Sequence, residues 1–350
     1  MQSQSCDPKP RARRACDRKS CEPPLATRRG VDSKAMSERK PPLLVIVGPT
    51  GVGKTAAAVA LGRRVALEVI SADSRQVYRG MDLATGKPSA DEQRAVAHHL
   101  IDLVDPDDRY HAARFRADAE RAIDDVRRRG RLPVVVGGTG LYVRALLRGL
   151  DPAPPADPDL RRELAGVAAR EGRAALHARL VAVEPALARR LHPNDQVRVV
   201  RALERVRAGS AVGDAQVRWR DGAAPWHVVA VGLTLERREL ARRLAVRAEA
   251  MVAAGLLDEV RRLLARGYGP ELSSMQGIGY RQFVEVARGR LDAGDALALM
   301  QRETVRYAKR QVTWFAREPG VEWIDAAAAG GAADVATAFE TRLKMEGLIE

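Results

Sequence analysis

The chain has 350 residues, enough for one domain carrying an insertion or for two. Its net charge of +14 and pI near 10.3, carried by arginine more than by lysine, favour a polyanionic partner such as nucleic acid, although an arginine- and alanine-rich composition is also what a GC-rich genome produces. Three early cysteines argue against a disulfide framework, and the lack of a secretory leader or an 18-residue apolar run argues against a membrane span, so a soluble, cytoplasmic protein is expected.

Residues 1–40 hold eleven Lys or Arg against five Asp or Glu and show almost no apolar periodicity, so this basic extension is expected to be disordered. Cys6, Cys16 and Cys21 all lie in it, with no fourth ligand nearby to complete a zinc site. Met36 offers an alternative start that would leave the residues before it outside the protein; a mobile basic arm touching nucleic acid is the other reading.

Residues 43–47 form an apolar run that predicts a strand, and an alanine-rich helical pattern begins at Ala56. Between them stand Gly48, Pro49, Thr50, Gly51, Val52, Gly53, Lys54 and Thr55, a G-x-x-x-x-G-K-T loop in its required strand-to-helix context. Glycines let backbone N–H groups converge on an anion and the helix N-terminus adds positive potential. Lys54 reaches the terminal phosphates, and the Thr55 hydroxyl can ligate Mg2+. The loop alone does not say whether those phosphates belong to a nucleotide or to another diphosphate.

Further apolar runs at 68–71, 99–104, 133–136 and 228–233 alternate with helical patterns, among them a helix over 114–129 that stops at Gly130. The expected fold is α/β, a P-loop NTPase-like parallel sheet flanked by helices. Residues 151–158, rich in proline and aspartate, read as a hinge. Only helical patterns follow until about Arg207, then a loose stretch over 209–226, so 156–226 is expected to be a helical insertion domain. The core is then 41–155 and 227–350, ending in helices.

In open α/β sheets, sites form beyond the carboxyl ends of the strands. The second run leads into Asp73, which reads as a general base or metal ligand beside the phosphates, or as an ordinary turn cap. The run at 133–136 leads into Gly137, Gly138 and Thr139, where Thr139 can serve the site or simply cap a helix. Asp102 is a poor candidate for the strand-end aspartate of a nucleotide hydrolase, which disfavours motor chemistry.

Taken in order, the phosphate loop, residues 73–82, 85–88 (Thr-Gly-Lys-Pro), 136–142, 192–195, 277–282 and 307–315 resemble the bacterial tRNA dimethylallyltransferases over about 42–323. The resemblance implies transfer of a dimethylallyl group from dimethylallyl diphosphate to N6 of the adenosine 3′ to the tRNA anticodon, with Mg2+ bound. It also implies Asp73 as the base that takes the amine proton, with Lys54, Thr139 and Arg247 assisting departure of diphosphate. RNA contacts are implied for Asp73, Ser74, Arg75, Gln76, Thr139, Arg161, Val197, Arg198, Val199, Val200, Arg201, Gln276, Gly277, Ile278, Gly279, Tyr280, Arg281, Thr304, Val305, Arg306, Tyr307, Ala308, Lys309, Arg310 and Gln311. Independently of the resemblance, Arg198, Arg201, Arg281, Arg306, Lys309 and Arg310 suit phosphate contact, and Gln76 and Gln276 suit base edges. The target base must leave its stack to reach such a site, and the helical insertion would close over the anticodon stem. A monomer is the default expectation.

Three other readings compete. A small-molecule or nucleotide kinase shares the loop and the α/β core, but leaves the motifs around Asp73 and Gly277 unexplained. An adenylate isopentenyltransferase would prenylate free nucleotide, whereas the helical insertion and residues 307–315 argue for a macromolecular acceptor. A non-catalytic RNA-binding ATPase would bind tRNA and leave it unmodified.

Overall fold

The computed structural model describes residues 40–150, 154–209 and 224–350. In chain order its strands are β1 (Pro42–Val47), β2 (Leu67–Ser71), β3 (His98–His99), β4 (Leu132–Gly137), β5 (His227–Thr234) and β6 (Val321–Asp325). The helices of the first half are α1 (Lys54–Gly62), α2 (Ala90–Ala95), α3 (Ala112–Arg128) and α4 (Gly140–Arg148), followed by α5 (Pro158–Glu171), α6 (Arg173–Val183), α7 (Pro185–Ala188) and α8 (Gln196–Arg207). After β5 come α9 (Arg237–Ala253), α10 (Leu256–Ala265), α11 (Tyr280–Ala287) and α12 (Ala293–Phe315), with α13 (Ala332–Met345) following β6.

The sheet runs β3-β2-β4-β1-β5-β6 and every pairing is parallel. Side chains alternate across it. Leu44 and Ile46 of β1 face a core shared with α1 and α13, while Leu43, Val45 and Val47 face one shared with α3 and α4. Register decides where the site falls. Val47 lies opposite Gly137 and Ser71 opposite Val136, so β1, β2 and β4 end side by side and their following residues converge.

Two expectations about strands need correction. The apolar run at 99–104 is not a strand beyond His99: Leu100 and Asp102 have φ of 62° and 52°, and the chain leaves the sheet edge. Its backbone instead bonds the loop after β2, through Asp102 N–H to the Gln76 carbonyl at 3.2 Å and Leu103 N–H to the Val77 carbonyl at 2.8 Å. Leu100 and Val104 are apolar because they pack into two different cores, not because they alternate across a sheet. Asp102 accepts from Lys87 at 2.5 Å, so it is a structural counter-ion and not a strand-end metal ligand. The second correction is β6, a partly exposed edge strand in a region expected to be wholly helical.

Helices α5 to α8 pack on one another around Leu160, Leu164, Val167, Leu176, Leu180, Leu187, Val199 and Ala202. The first begins at the end of the proline-rich stretch: Pro158 occupies the first turn, and the Asp157 carboxylate accepts from the N–H groups of Asp159 and Leu160. The cysteines, Met36, most of the basic extension, residues 151–153 of the hinge and 210–223 of the loose stretch lie outside the described residues. Among the described residues, no helix is long and apolar enough to cross a membrane.

Candidate active site

The phosphate loop closes the end of β1, with φ of 140° at Gly48, 79° at Gly51 and 103° at Gly53, values that a residue with a Cβ adopts only under strain. Lys54 opens α1 and folds back over the loop, donating from Nζ to the carbonyls of Gly48 at 2.9 Å and Pro49 at 2.8 Å. Burial lowers its pKa from 10.5 to about 8; the charge of Asp73 opposes that shift and Arg247 adds to it. An anion arriving at the loop would supply the missing counter-charge.

Asp73 follows the end of β2, where Ala72 N–H is still tied to the Val136 carbonyl at 2.8 Å. Its Oδ1 accepts from the Arg75 N–H at 2.8 Å, a local turn that holds the carboxylate at the strand mouth. Thr139 stands at the N-cap of α4, yet its side chain makes no capping bond. Instead its Oγ1 accepts from the Ser74 N–H at 3.1 Å, joining the mouths of β2 and β4. Tyr307, from α12, stands beside Thr139; burial, reinforced by the charge of Asp73, pushes its phenol up to about 12.

Arg247 reaches in from α9. Its Nη1 lies 3.5 Å from Thr50 Oγ1 and its Nη2 donates to the Gly86 carbonyl at 3.3 Å. Burial lowers its pKa, against the charges of Asp73 and Glu92. The Gly86 carbonyl also accepts from Gln76 Nε2 at 3.0 Å. Gly86 has φ of 60°, and a Cβ there would lie 1.6 Å from Arg247 Nη2, so glycine is needed for both conformation and space.

Two cavities meet at these residues. The first, about 370 Å³, is lined by Thr50, Gly51, Gly53, Lys54, Thr55 and Ala56 of the loop and by Ser71, Asp73, Gly86, Lys87, Gly138, Arg243, Arg247 and Gln311. The second, about 290 Å³, is lined by Ser74, Arg75, Gln276, Gly277, Ile278, Arg281, Thr304, Tyr307 and Arg310, with an apolar side of Leu244, Met251 and Met300. Thr50, Asp73, Thr85 and Arg247 line both, and so form the partition. A carboxylate and a guanidinium at such a partition can act on a bond formed between a group held in one chamber and a group held in the other.

The remaining sequence candidates divide by position. Arg306, Lys309 and Arg310 are exposed along α12, with Thr304 and Val305 half-buried between turns. Gln76 and Gln311 are committed to internal hydrogen bonds, and Tyr280, Ala308 and Val199 are buried in cores. Gly279 is the N-cap of α11. Arg161, Val197, Arg198, Val200 and Arg201 sit on α5 and α8, and none lines either cavity. There Arg161 and Arg201 both bind the buried Glu204, while Val197 is 80% exposed. Sequence reasoning assigned no site role to Thr85, Gly86, Lys87, Glu92 or Arg243, although the Thr-Gly-Lys-Pro segment had signalled the first three.

For Mg2+, the described residues contain no group of three or more His, Cys, Asp or Glu able to hold a metal unaided. A Mg2+ that arrives with phosphate oxygens needs only one or two protein ligands, and Thr55 at the loop faces the first cavity where such an ion would sit. The residues fit that mode of binding.

Fold and site together define an α/β protein with a phosphate-loop motif beside two adjoining cavities. The family model described as IPP transferase matches residues 76–318, and that of isopentenyl transferase matches 41–103. A tRNA dimethylallyltransferase of Geobacter metallireducens is 46% identical over 289 residues, covering 82% of this chain and 94% of its own length. Among solved structures, a Bacillus halodurans tRNA isopentenylpyrophosphate transferase superposes with a TM-score of 0.63 at 38% identity, covering 88% of this chain and 98% of its own. A eukaryotic dimethylallyltransferase acting on tRNA gives 0.66 at 27% identity, covering 88% of this chain and 78% of its own. The chain belongs to the IPP transferase family.

Proposed function

We propose that this enzyme transfers the dimethylallyl group of dimethylallyl diphosphate to N6 of the adenosine 3′-adjacent to the anticodon of tRNA, giving N6-isopentenyladenosine and diphosphate. The observation that carries the proposal is the partition: Asp73 and Arg247 line both the phosphate-loop cavity and its neighbour. The diphosphate lies in the first cavity against the loop N–H groups and Lys54. The adenine enters the second, between Arg75 and the Gln276–Ile278 segment, after leaving its stack.

The exocyclic amine of adenine is a weak nucleophile. As its nitrogen bonds to C1 of the dimethylallyl group, the C1–O bond breaks and the electron pair leaves with diphosphate. Asp73 accepts the N6 proton in that step, a contribution of about 10²–10⁴-fold for a well-placed base. Lys54 and Arg247 stabilise the charge that develops on the leaving oxygen, and Thr139 fixes the Ser74 backbone next to the base. Mg2+, when bound beside Thr55, adds positive charge at the diphosphate.

We assign helices α5 to α8 to an insertion that grips the anticodon stem, with the exposed Val197 and Arg198 facing RNA, while Arg201 is held by Glu204 and the Pro154 carbonyl. Arg306, Lys309 and Arg310 of α12 would bind phosphates nearer the loop; the high positive charge and the exposure of these side chains support this. The test is incubation of the purified protein with unmodified anticodon stem-loop, dimethylallyl diphosphate and Mg2+, followed by nuclease digestion and mass spectrometry of the nucleosides. Isopentenyladenosine from RNA but not from free AMP is the expected result. ATP turnover with no prenylated nucleoside would favour a kinase instead.

A further inference from the structure

Glu259 lies on the inner face of α10 among Leu256, Val260 and Leu263, and is only 4% exposed. Its carboxylate accepts from the Tyr280 hydroxyl at 2.6 Å, from the Asp82 N–H at 3.2 Å and from the Leu83 N–H at 3.3 Å. Burial raises its pKa, and the three neutral donors, rather than a cation, oppose that rise. A buried carboxylate held this way is costly unless all its bonds are made, so its neighbours are fixed as firmly as it is.

Those neighbours belong to the two walls of the site. Asp82 and Leu83 begin the loop whose later residues Thr85, Gly86 and Lys87 line the phosphate-loop cavity. Tyr280 ends the segment whose residues Gln276, Gly277 and Ile278 line the second cavity. The walls also meet directly, since a Cβ at Gly279 would come 2.5 Å from the Ala84 Cβ.

From Glu259 a continuous path of hydrogen bonds leads to the partition. The carboxylate takes the Leu83 N–H, the Leu83 carbonyl takes the Gly86 N–H at 3.1 Å, and the Gly86 carbonyl takes Arg247 Nη2 at 3.3 Å. We propose that Glu259 is a positioning residue that sets the Gly86 carbonyl and, through it, aims the Arg247 guanidinium at the diphosphate. Glutamine is a poor substitute, because its NH2 group would meet one of three donors where an acceptor is required. Misplacement of a charged group by about 1 Å is enough to cost on the order of 10²-fold in rate.

The inference rests on the reading that Arg247 faces a diphosphate, and the experiment separates the two. Full-length wild type, Glu259→Gln, Arg247→Ala and the double variant are titrated with inorganic diphosphate and Mg2+ by calorimetry. The prediction is that Glu259→Gln weakens binding about tenfold, and that the double variant binds no more weakly than Arg247→Ala alone, because both changes remove the same contact. Losses that multiply, or a Glu259→Gln protein that binds like wild type, would overturn the inference while leaving the diphosphate reading intact. A wild type that binds no diphosphate would overturn both. If Glu259→Gln does not fold, Glu259→Asp, which keeps the charge but shortens the reach, is put through the same cycle with the same two outcomes.

Discussion

Thr50 and Gln311 are 261 positions apart, yet the Thr50 N–H donates to Gln311 Oε1 at 2.9 Å, while Gln311 Nε2 donates to the Gly138 carbonyl at 2.9 Å. One buried amide from α12 thus ties the phosphate loop to the mouth of β4. The same helix presents Thr304, Tyr307 and Arg310 to the second cavity, so it braces one chamber and lines the other.

Replacing Gln311 with leucine leaves the Thr50 N–H and the Gly138 carbonyl without partners, at about 1–3 kcal/mol for each unpaired group. Thermal unfolding of Gln311→Leu should show a lowered Tm, and diphosphate titration should show weaker binding. A variant matching wild type in both would mean that water replaces the amide at no cost.

Gly86→Ala should displace Arg247, since the added methyl falls on its guanidinium. The expected effect is a rise of about tenfold or more in KM for dimethylallyl diphosphate, with a smaller change in KM for tRNA. Steady-state kinetics with each substrate varied in turn check this; an unaltered donor KM would show that the Arg247 guanidinium can move aside for the methyl without loss of diphosphate binding.

The lowered pKa of Lys54 makes two linked predictions. The fold disfavours its proton while the unfolded chain keeps it up to 10.5, so between about pH 8 and 10.5 this group makes stability rise with pH; below 8 its full cost is present. Diphosphate favours the charged form, so binding should weaken as pH climbs through 8 and should take up a proton there. Calorimetry at pH 8.5 in buffers of different ionisation enthalpy measures that uptake. Lys54→Met should reduce it, which separates the lysine from protonation of diphosphate itself.

Glu204 sits between α5 and α8, bonded to Arg161 Nε at 2.6 Å, Arg201 Nη1 at 2.8 Å and the Asp157 N–H at 3.0 Å. Burial pushes its carboxyl up, but the two arginines and the N–H outweigh that and hold it at about 2. Its stabilisation is therefore fully present above about pH 4.5 and is lost as pH falls towards 2. Glu204→Ala should destabilise this helical group by about 1–3 kcal/mol, because three hydrogen bonds are lost but the half-exposed arginines left behind can be hydrated. Circular dichroism melts at pH 7 would measure the loss; an unchanged melt would mean that both arginines find other partners.

The phosphate loop, Asp73 and the Gly137–Thr139 turn were legible because each directly follows a buried apolar strand, and parallel register then brings strand ends together. The 99–104 run misled because its apolar residues serve two cores around a bend, a pattern that local alternation does not distinguish from a strand. Strand β6 was missed because it is a short edge, partly exposed at every position, and lacks the apolar run that marked the central strands. Thr139 has the composition of a helix cap, but tertiary contact with Ser74 claims its hydroxyl. The tasks of Gln311 and Glu259 depend on contacts with residues 173 to 261 positions away, for which neither spacing nor composition carries a signal.

The most direct test of the account is to separate binding from chemistry at Asp73. Asp73→Asn keeps the size of the side chain and an oxygen for the Arg75 N–H but removes the proton acceptor. Single-turnover formation of isopentenyladenosine should fall by about 10²–10⁴-fold, while diphosphate and anticodon stem-loop still bind within a few-fold of wild type. A variant that prenylates at the wild-type rate would contradict the assignment of Asp73 as the base at the partition between the two cavities.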